Sequence, residues 1–401
     1  MNIKKTAILQ KGRGKIRKQA KLVYMYEKES RYLAQVAESI KDIAAQELES
    51  LGAYELKPVF RGIWFKADQR DFYKIVYCSR LVSRILAPLA SFECKDKNDL
   101  YRAARKIRWE ELLGLSTRFS ITANVSDSGI THSNFAGLKV KDAIADYFRD
   151  RTGRRPSVNA DQPDIIINIH IHRDIATLSV DASAGPMHRR GYREESVSAP
   201  MQETVAASII ALSQWDGTKP LYDPMCGSGT LLCEALMKYC RIPAMIFREK
   251  FGFERLPDFN ARVWDKVKKQ LLDEIKEPEK GLVSGSDISE DSVNAAKTNI
   301  MGLHFGDRVL IEQKDFRDID SLEDHVIVAN PPYGIRMGKD ENLNLFYRDL
   351  GLFLKDRCHR SQAFIYFGEP RYIKKLPLAP SWKRPLKIGG LNGKLVKYEV
   401  Y

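Results

Sequence analysis

The stretch with the most specific chemistry in this 401-residue sequence is Asn330-Pro331-Pro332-Tyr333-Gly334. The exocyclic amine of a nucleobase is a poor nucleophile, because its lone pair is delocalised into the ring. An amide oxygen and a backbone carbonyl that accept its two N–H bonds aim that lone pair at an electrophile. Asn330 and Pro331 offer such acceptors. The prolines fix φ and carry no N–H, and Asn330 is held extended by the proline after it. Tyr333 offers a ring on which an extruded base can stack. The alternative is a plain proline turn after a strand, which the full five-residue pattern disfavours.

Three further elements each have two readings. Asp223-Pro224-Met225-Cys226-Gly227-Ser228-Gly229-Thr230 follows a strand and opens a helix. Its small residues let the backbone approach a ligand at the carboxyl end of that strand, or serve packing alone. The spacing is GxG, and the lysine of a phosphate-binding loop is missing. Asp287, in Gly285-Ser286-Asp287-Ile288, either accepts from ribose hydroxyls or is one of the acids at a helix start with Glu290 and Asp291. Asp315 either accepts from an adenine amine, with Phe316 flanking the ring, or is an ordinary turn acid. His170 and His172 share a strand face without a third ligand nearby, which favours a structural pair over a metal site. Cys226, Cys233 and Cys240 recur every seven residues and read as packing. No metal is expected.

These residues need a frame that brings strand ends together. From Ser196 onward strands and helices alternate. Strands are expected at Pro220–Tyr222, Leu282–Ser286, Val309–Gln313, Val326–Ala329 and Ala363–Phe367. Helices are expected at Gly229–Tyr239, Asp291–Met301 and Leu343–Arg357, the last with Leu345, Phe346, Leu350, Phe353 and Leu354 apolar. The alternation predicts a parallel, doubly wound α/β sheet. Leu391-Asn392-Gly393 predicts an antiparallel hairpin turn between Pro385–Ile388 and Leu395–Tyr401.

Upstream, two α+β stretches are read at 31–93 and 94–193. In the first, Val36, Ile40, Ile43, Ala44, Leu48 and Leu51 form a helical face stopped at Gly52. Strands follow at Leu56–Phe60 and Ile63–Lys66, then a helix over Asp71–Leu86 that ends before Pro88. The second has a strand Phe119–Val125, a helix Leu138–Thr152 closed by Gly153, and strands Ile165–His172 and Ala176–Asp181.

Lys plus Arg total 65 against 52 Asp plus Glu, a net charge of +13, which points to a nucleic-acid partner. Residues 1–21 hold eight cations and no acid, and so do residues 371–397. The first run has no clear period and reads as a flexible arm that grips a polyanion, or as a solvated tail. No run of about 18 apolar residues is present, which excludes a membrane-spanning helix. The start is too polar for a signal peptide. Six scattered cysteines without a CxxC pair favour a reduced, cytoplasmic protein.

Together, Asp-Pro-x-Cys-Gly-Ser-Gly-Thr, an acidic second strand end and Asn-Pro-Pro-Tyr-Gly resemble the class I S-adenosylmethionine-dependent amino-methyltransferases. Phe135 to Pro156, Leu178–Ser183 and His188-Arg189-Arg190-Gly191-Tyr192-Arg193 resemble a THUMP domain joined to such an enzyme. Ala199–Thr204 and the insertion Phe251–Phe259 are similar to the 23S rRNA guanine-N2 methyltransferases and related tRNA enzymes. Met225 stands where that family usually has Phe, and Met201 where it has Leu.

The resemblance implies a basic extension at 1–30, a ferredoxin-like domain at 31–93, a THUMP RNA-binding domain at 94–193 and a Rossmann-like methyltransferase domain at 194–401. It implies a single module, without the second methyltransferase unit of fused relatives. S-adenosylmethionine would be bordered by Glu203, Thr204, Asp223, Cys226, Gly227, Gly229, Thr230, Asp287, Ile288, Asp315, Phe316 and Asn330. Asn330, Pro331, Pro332 and Tyr333 would present the amine, with the base extruded from its helix. Lys139, Lys141, Arg154, Arg155, Arg189, Arg190 and Arg193 would contact RNA phosphates. The implied substrate is a guanine of 23S rRNA or its precursor. A tRNA guanine, an adenine amine, or an RNA-binding assembly role without catalysis are the other readings.

Overall fold

The computed structural model describes residues 23–195, 200–332, 340–388 and 391–401. The basic segment 1–21, Tyr333 and Gly334 lie outside the described residues.

The first half builds one sheet from β1 (Arg31–Gln35), β2 (Tyr54–Val59), β3 (Gly62–Lys66), β4 (Arg84–Glu93), β5 (Arg118–Ser126), β6 (Ser157–Val158), β7 (Ile165–His172) and β8 (Ile175–Asp181). The order is β2-β3-β1-β4-β8-β7-β5-β6. β4 pairs antiparallel with β8, with Leu86 opposite Asp181, so the two α+β stretches share one continuous sheet. Helices α1 (Met25–Glu29), α2 (Lys41–Ser50), α3 (Gln69–Cys78), α4 (Lys97–Arg105) and α5 (Ser133–Thr152) accompany it. Ile165, Ile167, Ile169 and Ile171 are buried, as strand alternation requires of a core-facing set.

The second half builds a sheet from β9 (Leu221–Asp223), β10 (Val283–Asp287), β11 (Leu310–Gln313), β12 (Val326–Ala329), β13 (Ser361–Phe367), β14 (Trp382–Ile388) and β15 (Leu391–Val400). Its order is β11-β10-β9-β12-β13-β15-β14. β9 to β13 run parallel, and β15 lies antiparallel between β13 and β14. Helices α6 (Glu203–Leu212), α7 (Thr230–Tyr239), α8 (Ala261–Asp273), α9 (Glu290–Met301) and α10 (Asp340–Arg357) belong to this half. All four residues of β12 are buried, as expected of a strand covered on both faces. No helix among the described residues is long and apolar enough to cross a membrane.

Aromatic packing and charge join the halves. Phe253, in the insertion after α7, stacks on Tyr73 of α3 at 4.6 Å, and its N–H donates to the Ala182 carbonyl. Glu234 of α7 accepts from Arg190 Nε at 3.2 Å and lies 3.8 Å from Arg80 of the first half.

Several expectations need correction. β1 was not anticipated, and Val36 follows it instead of opening a helix. The helix expected over Asp71–Leu86 ends at Cys78, and Arg84–Glu93 is a strand. Ile85 to Leu89 is apolar on both faces, a pattern that periodicity alone cannot assign. Pro88 is tolerated because the register shifts between Pro88 and Ala90. Of the apolar residues of α10, Phe346, Leu350, Phe353 and Leu354 are buried and Leu345 is exposed.

The hairpin exists, but Asn392-Gly393 is not its turn: Gly393 pairs with Leu386 inside the ladder, and Ile388 faces Leu391. Gly393 is there because a Cβ would run into the Tyr366 ring. Gly393→Ala should therefore lower stability by about 1–3 kcal/mol through overpacking. Asn392 is exposed, so Asn392→Ala should leave the thermal midpoint where it is. Thermal unfolding of both variants checks this.

Candidate active site

A cavity of ≈ 570 Å³ opens at the carboxyl ends of β9, β10, β11 and β12. That volume suits a small-molecule site, and in parallel sheets ligands settle at this end. Asp223 closes β9 and is buried, with its Oδ1 accepting the Met225 N–H at 3.1 Å. Burial pushes its carboxyl well above the usual range, and the neighbouring Asp287 adds to that. Gly227 and Gly229 have φ of +55° and +79°, in the left-handed region that favours glycine. Gly229 caps α7, so the loop turns directly from strand to helix.

Asp287 ends β10, and two backbone N–H groups hold its carboxylate. Its Oδ2 accepts the Gly227 N–H at 2.9 Å, which ties the glycine loop to the second strand. Its Oδ1 accepts the Ser289 N–H at 3.0 Å, at the start of α9. Each carboxylate oxygen keeps a lone pair for a ligand hydroxyl. Asp287→Ala should release the loop and weaken S-adenosylhomocysteine by roughly tenfold or more, since hydrogen bonds to charged groups contribute about 1.5–3 kcal/mol each. Calorimetric titration reads the change.

After β11, Asp315 accepts the Arg317 N–H at 2.9 Å and pairs with its guanidinium at 3.0 Å. Phe316 is buried, edge-on to Phe346 at 5.5 Å, with the Arg317 guanidinium 4.7 Å above its ring. Asp315, Phe316, Arg317 and Phe346 all line the cavity, as do Cys226, Thr230 and Ile288. Burial holds the Cys226 thiol well above its ordinary value, with Asp223 adding to that, so it stays protonated.

Asn330 follows β12 and also faces the cavity. Its Oδ1 is buried and meets no hydrogen-bond donor among the described residues. A buried amide oxygen normally has a partner, and one without it costs about 1–3 kcal/mol. An unsatisfied acceptor in a cavity wall is therefore suited to a ligand N–H. The loop behind it is held: Tyr347 of α10 donates its hydroxyl to the Pro332 carbonyl at 3.2 Å, and its ring stacks on Tyr372 at 4.8 Å. The sequence does not mark Arg317, Phe346 or Tyr347 as site residues, because only tertiary packing brings α10 to this corner. The Asp287 and Asp315 carboxylates at adjacent strand ends, with the unpaired Asn330 oxygen beyond them, fit a ligand that carries ribose hydroxyls and amines.

Other anticipated residues lie elsewhere. Glu203, Thr204, Gly229 and Pro331 do not line the cavity. Glu203 is buried 3.3 Å from Arg193, and burial pushes its carboxyl up. Arg193 also donates to Thr230 Oγ1 and to the Met201 carbonyl, so it braces the glycine loop and is not a free phosphate contact. Arg190 is 1% exposed and is spent on Glu234, Met187 and Arg80, which excludes it as an RNA contact. The signal for this was Glu234, a lone acid in the apolar run Leu231–Met237 that needed a buried cation. Arg154, Arg155 and Arg189 are exposed, while Lys139 and Lys141 are half-buried beside Asp142. The His170 and His172 rings stack 6.4 Å apart, and burial lowers the His170 pKa.

Comparison with known proteins agrees with this geometry. The family model of the RMKL-like methyltransferase domain matches residues 190–395. Models of the THUMP domain and the RlmL ferredoxin-like domain match residues 94–181 and 31–86. A Synechocystis sp. protein provisionally named RNA methyltransferase slr0064 is 38% identical, over 92% of this chain and 97% of its own. The ribosomal RNA large subunit methyltransferase K/L of Syntrophotalea carbinolica is 34% identical over 92% of this chain but 53% of its own, so the chain spans about half the length of that relative. The crystal structure of SMU.472, provisionally titled a methyltransferase and complexed with SAH, superposes with a TM-score of 0.80 at 25% identity, covering 92% of this chain and 98% of that one. The chain belongs to the RMKL-like family of S-adenosylmethionine-dependent methyltransferases, a class I sheet with a C-terminal hairpin preceded by ferredoxin-like and THUMP units.

Proposed function

We propose that this protein methylates the exocyclic 2-amino group of a guanine in RNA, in the large ribosomal subunit, and that it acts in the cytoplasm. The observation that carries the reading is the buried Asn330 amide oxygen, without a partner among the described residues, at the wall of the cofactor cavity. S-adenosylmethionine, when bound, supplies an electrophilic methyl group. Asp287 and Asp315 would hold its ribose and adenine, while the glycine loop from Asp223 to Thr230 would border the methionine end. Asn330 Oδ1 would accept one N–H of the base amine, and the carbonyl of Pro331, which lies between the lining residues Asn330 and Pro332 without lining the cavity itself, would accept the other and so free the lone pair. The Tyr347 hydroxyl keeps the Asn-Pro-Pro backbone in place. Tyr333 would offer its ring to the extruded base.

The RNA assignment is supported by the THUMP match and by the names of the relatives, and guanine by the resemblance of Ala199–Thr204 and Phe251–Phe259 to the guanine-N2 enzymes. We assign the domains as 31–93, 94–193 and 194–401, after a basic extension at 1–30. Exposed Arg154, Arg155 and Arg189 remain as candidate phosphate contacts, as do the half-buried Lys139 and Lys141. The test is transfer of labelled methyl to total nucleic acid from cells lacking the protein, fractionated by class. Label in large-subunit rRNA supports the reading. Label in tRNA or DNA moves the substrate, and no transfer to any class overturns catalysis on nucleic acid.

A further inference from the structure

Asn299 lies in the last turn of α9 and is fully buried. Asparagine is a poor helix former, and burying its amide is costly unless its polar atoms are bonded. Here the amide is satisfied entirely by groups outside α9. Its Oδ1 accepts the Glu194 N–H at 2.8 Å and the Glu195 N–H at 3.0 Å. Its Nδ2 donates to the Glu195 carbonyl at 2.9 Å and to the Ser228 carbonyl at 3.0 Å. Turning the amide over would set donors against donors and acceptors against acceptors, so only one orientation fits.

The two segments that Asn299 joins both contribute to the wall of the cofactor cavity. Ser228 belongs to the glycine loop and lines it. Glu194 and Glu195 belong to the chain that leads from β8, where the THUMP match ends, to α6. Pro200 and Met201, further along that chain, line the cavity as well. The face of α9 that carries Asn299 also seats the loop: a Cβ on Gly229 would meet Ala296 at 3.1 Å and Ile300 at 3.2 Å. Arg193, just before the clasped pair, donates to Thr230 Oγ1 and to the Met201 carbonyl, both at 2.9 Å. Asn299 itself does not line the cavity, so it can act on a ligand there only through these neighbours.

We propose that Asn299 is a positioning residue for methyl transfer. Its amide clasps the chain arriving from the THUMP unit onto the glycine loop, and the cofactor site is complete only while that chain is docked. The inference rests on the cavity holding S-adenosylmethionine, and not on which base is methylated. The simpler account is a brace that serves the fold alone.

The test uses the full chain, as wild type and as Asn299→Ala. S-adenosylhomocysteine affinity should fall about tenfold in the variant, because buried backbone groups at the loop lose their partner. The KM for S-adenosylmethionine should rise by a similar factor, with kcat at saturating cofactor kept within about threefold. That split marks an interaction that serves cofactor binding alone. Hydrogen exchange on the wild type gives an independent readout. S-adenosylhomocysteine should slow exchange of the Glu194 and Glu195 amides about tenfold or more, because ordering the loop and docking the chain share one side chain. In Asn299→Ala these amides should exchange fast with or without the ligand. A brace for the fold alone would lower the thermal midpoint and leave the affinity and the ligand-dependent exchange unmoved. A folded variant with wild-type cofactor affinity overturns the inference. So do wild-type Glu194 and Glu195 amides whose exchange ignores the ligand, which keeps the question answerable if the variant fails to fold. Either result leaves the reaction proposed above standing. A wild-type chain that does not bind S-adenosylhomocysteine overturns both.

Discussion

Asn330→Ala is expected to lose about a hundredfold or more in methyl transfer while S-adenosylhomocysteine affinity stays within a few-fold. Removing one well-placed acceptor for developing charge costs roughly 3 kcal/mol of transition-state stabilisation. The Asn330 oxygen is buried and has no partner among the described residues, so the variant loses none of their hydrogen bonds at that atom. It removes only what the amide offers to a ligand. Asp287→Ala should behave in the opposite way, because its carboxylate holds the Gly227 N–H of the cofactor loop. Single-turnover rates and calorimetry on both variants separate the roles. A large loss of cofactor affinity in Asn330→Ala would show that the amide holds the cofactor and not the base.

The second large effect concerns stability. Glu234→Leu should destabilise the protein by about 3–5 kcal/mol, because it strands buried guanidiniums without their counter-charge. Arg190 and Glu234 both have fully buried side chains, and Arg80 approaches the same carboxylate from the ferredoxin-like unit. Arg190→Met should cost less, since Arg80 remains 3.8 Å from Glu234. Denaturant unfolding reads both. Arg190→Met should also leave the salt dependence of RNA binding unchanged, whereas loss of a true phosphate contact would lower the slope by about 0.7–0.9.

Much of the second sheet was legible because each strand is a short aliphatic run that ends in a residue able to do chemistry. Val326–Ala329 followed by Asn330 is the clearest case, and its bounds coincide with β12. The same logic placed Asp223 and Asp287 at the ends of β9 and β10. Failures came where one pattern serves two structures. Asn392-Gly393 is a good turn pair, but close packing against Tyr366 demands glycine there and the ladder continues through it. Ile85–Leu89 is apolar on both faces and resembles a buried helix as readily as a central strand. Arg189, Arg190 and Arg193 look alike in sequence, and only tertiary contacts separate the exposed cation from the buried one and the brace on Thr230. The corner formed by Arg317, Phe346 and Tyr347 needed α10 to fold back over the strand ends.

The most direct test of the central claim is the identity of the methylated nucleoside. RNA from cells lacking the protein would be labelled in vitro by wild type and by Asn330→Ala, digested, and resolved by mass spectrometry. The account predicts labelled N2-methylguanosine with the wild type and almost none with the variant. Label in N6-methyladenosine, or undiminished N2-methylguanosine with Asn330→Ala, would contradict it.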